Sequence, residues 1–177
     1  MSPALPGQFL SYVLSAVTAN ASIVADSPHA SGLALGNPFA WSLCFAAVVV
    51  LLTIVPLGAA RSQADFTPAD LAAPRAMFER LPSWGKRASW AHQNSFEAFT
   101  LFAPACLLAL VASAHGWAPS ALAVVPAWLH PALRLIYLPA YVADVPPLRA
   151  LCWAGGTVCT GLIYIEALQA ILGRFIF

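Results

Sequence analysis

Between Phe39 and Gly173 lie four stretches too apolar for a water-exposed surface and long enough to cross a bilayer. They are "FAWSLCFAAVVVLLTIVPLGAA" (Phe39–Ala60), a run from about Ser89 to Ala112, another from about Ser120 to Val142, and "PLRALCWAGGTVCTGLIYIEALQAILG" (Pro147–Gly173). Each comes near the ~20 residues that a helical span needs. Backbone groups in lipid have no water to bond, so each span must satisfy its own, which favours helices. The expected fold is therefore all-α, a membrane four-helix bundle formed by residues 38–177, after an N-terminal extension of residues 1–37. Composition agrees: 8% of residues are charged, where a soluble domain carries about a quarter. A net charge of +1 leaves no basic footprint for nucleic acid.

The extension contains "FLSYVLSAVTANASIVA", which is similar to a signal-peptide core ending in Ala19-Asn20-Ala21, but no basic residue precedes it. It reads as an uncleaved extension with an interfacial helix rather than a targeting peptide, followed by a loop at Asp26–Gly32. The first loop of the bundle holds Arg61, Arg75, Arg80, Lys86 and Arg87, whereas the N-terminal segment and the loop around His115 hold no Lys or Arg. By the positive-inside rule loop 1 is expected on the cytoplasmic side. Loop 3, with Asp144 and Arg149, shares that side, and both termini lie opposite. Cys44, Cys106, Cys152 and Cys159 fall inside spans with no metal-ligand spacing. They read as small packing residues, and no metal is expected.

Polar side chains at membrane depth are costly and tend to be functional, so their placement matters most. Within "RASWAHQNSFEAFTLF", Arg87, Trp90, Asn94 and Glu97 fall within about 80° of one another on a helical wheel. His92 lies about 140° from Arg87 on the same wheel, a side open to a neighbouring subunit. In the third span His130, Arg134, Tyr137 and Tyr141 recur at helical spacing and form one stripe. Pro131 and Pro139 are expected kink points. Pro146-Pro147 opens the fourth span, with Arg149 in its first turn, where a cation and a helix N-terminus both attract anions.

Rise along the helix places Glu97 about 15 Å inward of Arg87, and Arg134 about 12 Å inward from its own end. Matching depth and opposite charge predict a Glu97–Arg134 pair. Asn94, Tyr137 and Tyr141 lie nearer the loop 1 side, with Arg87 and Arg149 at the mouth. The sum is a net-positive polar pocket, whose spare cations suit an anionic ligand. Glu166 reads as a structural acid at the far end of span four, and His29 and His115 as loop residues without evident partners.

The second-span motif R-A-x-x-A-H-x-N-x-x-E (Arg87–Glu97), followed by Phe99 and Phe102, resembles the MAPEG superfamily, the membrane-associated proteins in eicosanoid and glutathione metabolism. "LRLIYLPAYVADVPPLRALCW" supports the likeness through its Arg-x-x-Tyr-x-x-x-Tyr run, Pro-containing turn and arginine. The likeness spans about residues 39–173 and is of the bacterial type. It implies a homotrimer with sites between subunits that bind glutathione as co-substrate. Carried over by position, Asn94 and Glu97 hold the glutathione backbone, Tyr137 and Tyr141 contact it, and Arg149 sits near the sulfur. Arg87 and Arg134 complete the expected binding set, with Arg149 as the catalytic residue. Trp90 departs from the pattern, standing where glutathione-using relatives often carry an arginine. The activity implied is a glutathione-dependent transferase or peroxidase acting on lipophilic small molecules that arrive from the bilayer. The alternatives are a non-catalytic accessory or scaffold subunit bound to other membrane subunits, or a binder of lipids or small anions.

Overall fold

A computed structural model describes residues 36–175, together with Ser11 and Ser15. The expected interfacial helix of the N-terminal extension and His29 lie outside the described residues. The rest is helical. Helix α1 (Pro38–Leu52) is followed by α2 (Ile54–Ser62), then by two short 3-10 turns, Pro68–Leu71 and Pro74–Arg80. Three long helices complete the bundle: α3 (Ser83–Ala114), α4 (Ala121–Val142) and α5 (Pro146–Phe175). Four segments are long and apolar enough to cross a membrane, the first being α1 and α2 taken together. The chain is thus an all-α, multi-pass membrane bundle.

The first span differs from expectation in being broken at Thr53. Pro56 has no N–H to offer the Leu52 carbonyl, so the α1 ladder cannot continue through it. At the break the fully buried Thr53 donates its hydroxyl to Val50 O at 2.5 Å. Helix α4, by contrast, runs unbroken through Pro126, Pro131 and Pro139. Pro104 lies within α3, and close to it the Tyr164 hydroxyl of α5 donates to Leu101 O at 3.0 Å.

Between helices in lipid there is little hydrophobic drive, so close packing of small residues takes its place. Ala105, Ala109, Ala123, Ala127 and Ala167 are fully buried around Phe39, Phe102 and Ile163. At the far end of the bundle Ser120 caps α4 through Leu122 N and donates to Glu166 Oε2 at 2.8 Å. The structural role expected of Glu166 thus has a partner. His115 has one as well, since its Nδ1 lies 2.8 Å from Val111 O.

At the loop 1 end, Ala60 of α2 packs its methyl group against Gly85 of α3. A Cβ on Gly85 would come within 2.6 Å of Ala60 Cβ, and neither helix can yield easily there. Gly85→Val is expected to destabilise the protein by about 1–3 kcal/mol, the usual penalty of overpacking, read as a lower Tm in detergent.

Loop 1 is tied by Asp70, which accepts from Thr67 N at 2.8 Å and pairs with Arg80. The Thr67 backbone bond, aided by Arg80, holds the Asp70 carboxyl below its ordinary 3.8. A depressed folded-state pKa stabilises above the unfolded value and is lost as pH falls through the folded one. Pepsin nicking between Ser62 and Arg80 should therefore accelerate as pH drops below 3.8, and Asp70→Asn should show the faster nicking throughout the acid range.

Candidate functional site

Helix α4 ends in a Schellman motif that shapes the mouth of the bundle. Val145 N bonds Ala140 O at 2.9 Å and Asp144 N bonds Tyr141 O at 3.2 Å, with Asp144 left-handed at φ 59. Helix α5 then starts at once, and Arg149 N bonds Val145 O at 3.1 Å. This tight turn lays the Arg149 guanidinium over the Tyr141 ring, 4.5 Å from its centroid. Across the mouth Arg87 reaches from α3. Its Nε donates to Val142 O at 3.0 Å and its Nη1 lies 3.7 Å from Asp144 Oδ2. Lys86, Arg87, Trp90, Tyr141, Asp144 and Arg149 enclose a recess of about 530 Å³.

A column of rings and guanidinium groups leads inward from there. The Tyr141 ring meets Tyr137 edge-on at 5.4 Å, and the Arg134 guanidinium lies 4.1 Å from the Tyr137 centroid. Arg134 is only 4% exposed. It donates to Asn94 Oδ1 at 2.8 Å and to Ser95 Oγ at 3.4 Å, while its Nε has no hydrogen-bond partner. Of the stripe read from the third span, His130 alone turns to structure. It stacks on Phe102 at 4.0 Å and its Nδ1 sits 3.0 Å from Gly156 O.

The expected Glu97–Arg134 ion pair does not form. Glu97 Oε1 accepts instead from Gln93 Nε2 at 3.0 Å, one turn back on its own helix, an i,i+4 geometry that costs little ordering. Glu97 is exposed on the outer side of α3, whereas Arg134 is buried within the bundle. Equal depth did not bring equal azimuth. His92 has a partner within its own chain, its Nδ1 lying 2.6 Å from Thr53 Oγ1.

A second recess, of about 370 Å³, is lined by Trp90, Gln93, Asn94, Glu97 and Tyr141. Trp90 and Tyr141 belong to both recesses, so the two form one groove divided by aromatic rings. Trp90 is held from outside by Phe78 of loop 1, with ring centroids 5.7 Å apart. One end of the groove carries Arg87 and Arg149 with the Asp144 carboxylate, and Lys86, whose Nζ is paired with Glu79 Oε2 at 3.1 Å. The other end carries two amides and the Glu97 carboxylate. Such a groove suits an elongated ligand with an anionic end and a cationic or amide end. The expected site residues gather along it, except Arg134 and Tyr137, which stand behind its wall. Lys86, Gln93 and Asp144 were missed by sequence reasoning, although the i,i+4 spacing of Gln93 and Glu97 was a usable signal.

The profile of the MAPEG family matches residues 38–169. The chain belongs to the MAPEG family. The match begins at the first residue of α1 and takes in both polar blocks that build the groove. No curated protein matches and no solved structure does. Membership places this MAPEG chain among membrane proteins of a glutathione-related superfamily, and among the described residues no cluster of His, Cys, Asp and Glu could hold a metal ion.

Asn94 is the strongest acceptor for the buried Arg134. Asn94→Ala should cost about 1.5–3 kcal/mol, as for hydrogen bonds to charged groups, rather than the ~0.6 of an average interhelical bond in a membrane. Thermal unfolding in detergent reads the loss, and Asn94→Asp, which offers Arg134 a carboxylate, should keep wild-type stability or exceed it.

Proposed function

We propose that this protein is a glutathione-dependent transferase or peroxidase acting on lipophilic electrophiles that enter from the bilayer. The observation that carries the reading is the groove with opposite polarity at its two ends, lined by both family blocks. Glutathione, with two carboxylates, an α-ammonium and two amides, has matching chemistry. Its glycyl carboxylate goes to Arg87 and Lys86, its γ-glutamyl ammonium, which shares a carbon with the second carboxylate, to Glu97, and its amides to Asn94 and Gln93, while Tyr141 packs along its middle. Arg134 and Tyr137 hold Asn94 and Tyr141 in place from behind.

Arg149 is the catalytic residue in this reading. A guanidinium beside the thiol favours the thiolate, and the released proton leaves to solvent at the mouth. The sulfur lone pair then forms a carbon–sulfur bond as the leaving group departs with its bonding electrons. With a hydroperoxide the sulfur instead attacks the terminal oxygen, the O–O bond breaks to release the alcohol, and a second glutathione attacks the resulting sulfenic sulfur to give the disulfide and water. Glu97 and Gln93 lie exposed within a membrane span. A carboxylate facing lipid is expensive, which supports a homotrimer in which another copy covers that face. The Lys and Arg count of loop 1 supports a mouth that opens to the cytoplasm.

Glutathione added to purified protein should give a saturable ultraviolet difference signal for the thiolate. Arg149→Ala should abolish it and lower turnover roughly 100-fold, as for removal of other pre-organised donors to a developing anion. Absence of the signal at millimolar glutathione, with the oligomer intact, would overturn the assignment. Trp90, standing between the two recesses, favours a second reading, non-catalytic binding of a small anion or lipid headgroup. Saturable binding without thiolate formation would select it.

A further inference from the structure

Asp144 is the one acidic side chain lining the cationic recess. It occupies the left-handed residue after α4, φ 59, a place where glycine leads and Asp and Asn are tolerated. The turn fixes its backbone and so sets where its carboxylate begins. Its carboxylate lines the recess with Lys86, Arg87 and Arg149 and faces Arg87 at 3.7 Å, too far for a tight charge-assisted hydrogen bond.

The two partners are not held equally. The Arg87 side chain is 23% exposed and that of Asp144 is 57% exposed. Arg87 is also pinned through Nε to Val142 O at 3.0 Å, a bond independent of Asp144. If the carboxylate swings away, the guanidinium stays and its outer N–H groups are free for another acceptor. The cation is fixed and the anion is loose.

We propose that Asp144 is an internal counter-ion that occupies Arg87 while the recess is empty and is displaced by the carboxylate of an incoming ligand. The residue thereby sets the affinity and selectivity of the recess for anions. A weak or singly bound anion does not repay the displacement, whereas a ligand that also engages Lys86 or Arg149 does. This deepens the reading of the groove as a glutathione site and rests on it only for the identity of the ligand.

The test uses the full-length protein in detergent, with calorimetric titration of glutathione and, separately, of inorganic pyrophosphate as a generic anion. Asp144→Asn keeps a residue that tolerates the left-handed conformation and removes the charge, and Asp144→Gly removes the side chain. Both variants should lower the Kd of each probe by about five-fold, the upper end of what an exposed ion pair is worth. The gain should shrink as salt rises. Glutathione binding with a Kd unchanged or raised in both variants would overturn the counter-ion and leave the glutathione reading standing. Pyrophosphate binding that tightens in the variants while glutathione fails to bind would keep the counter-ion and remove glutathione. Failure of both probes in all three proteins would overturn both.

Discussion

Hydrogen-bond self-sufficiency in lipid governs this structure from end to end. Polar groups within the spans must find their partners inside the protein, because lipid offers none. Where Pro56 interrupts the first span, the buried hydroxyl of Thr53 bonds Val50 O. Near Pro104 a tyrosine from α5 supplies a donor to Leu101 O. At the far end Ser120 and Glu166 close the start of α4. The polar residues within the spans thus divide into those that bond the backbone near a break or a helix end and those left over.

The residues left over make the groove. Arg134 is the extreme case, a buried guanidinium with an amide and a hydroxyl for acceptors and no carboxylate within salt-bridge distance among the described residues. Its charge is eased by the face of Tyr137, a contact worth more when desolvated. Tyr137 abuts Tyr141, and Tyr141 supports Arg149. The alternation of cation, ring, ring and cation joins the centre of the bundle to its mouth and fixes the aromatic wall of the groove.

Much of this was legible in the sequence. Span number and helical class follow from apolar length, and the stripe of Arg134, Tyr137 and Tyr141 from spacing alone. What the sequence could not supply was azimuth between helices. Glu97 and Arg134 share a depth, yet one faces outward and the other inward, because rise per residue fixes height and says nothing of rotation about a neighbour. Gln93, one turn from Glu97, was the local competitor, a spacing present in the sequence but not used. The break follows from Pro56, whereas the contact of Thr53 with a histidine on another helix appears only in the folded chain. Asp144 escaped notice for a different reason, since its left-handed backbone is a property of how α4 ends.

The contact between Thr53 and His92 has one more consequence. The Thr53 hydroxyl has a single proton and gives it to Val50 O, so towards the imidazole it can only accept. His92 then meets it with a hydrogen on Nδ1. The orientation of a ring in the second span is thus tied to an interruption in the first, 39 residues away along the chain.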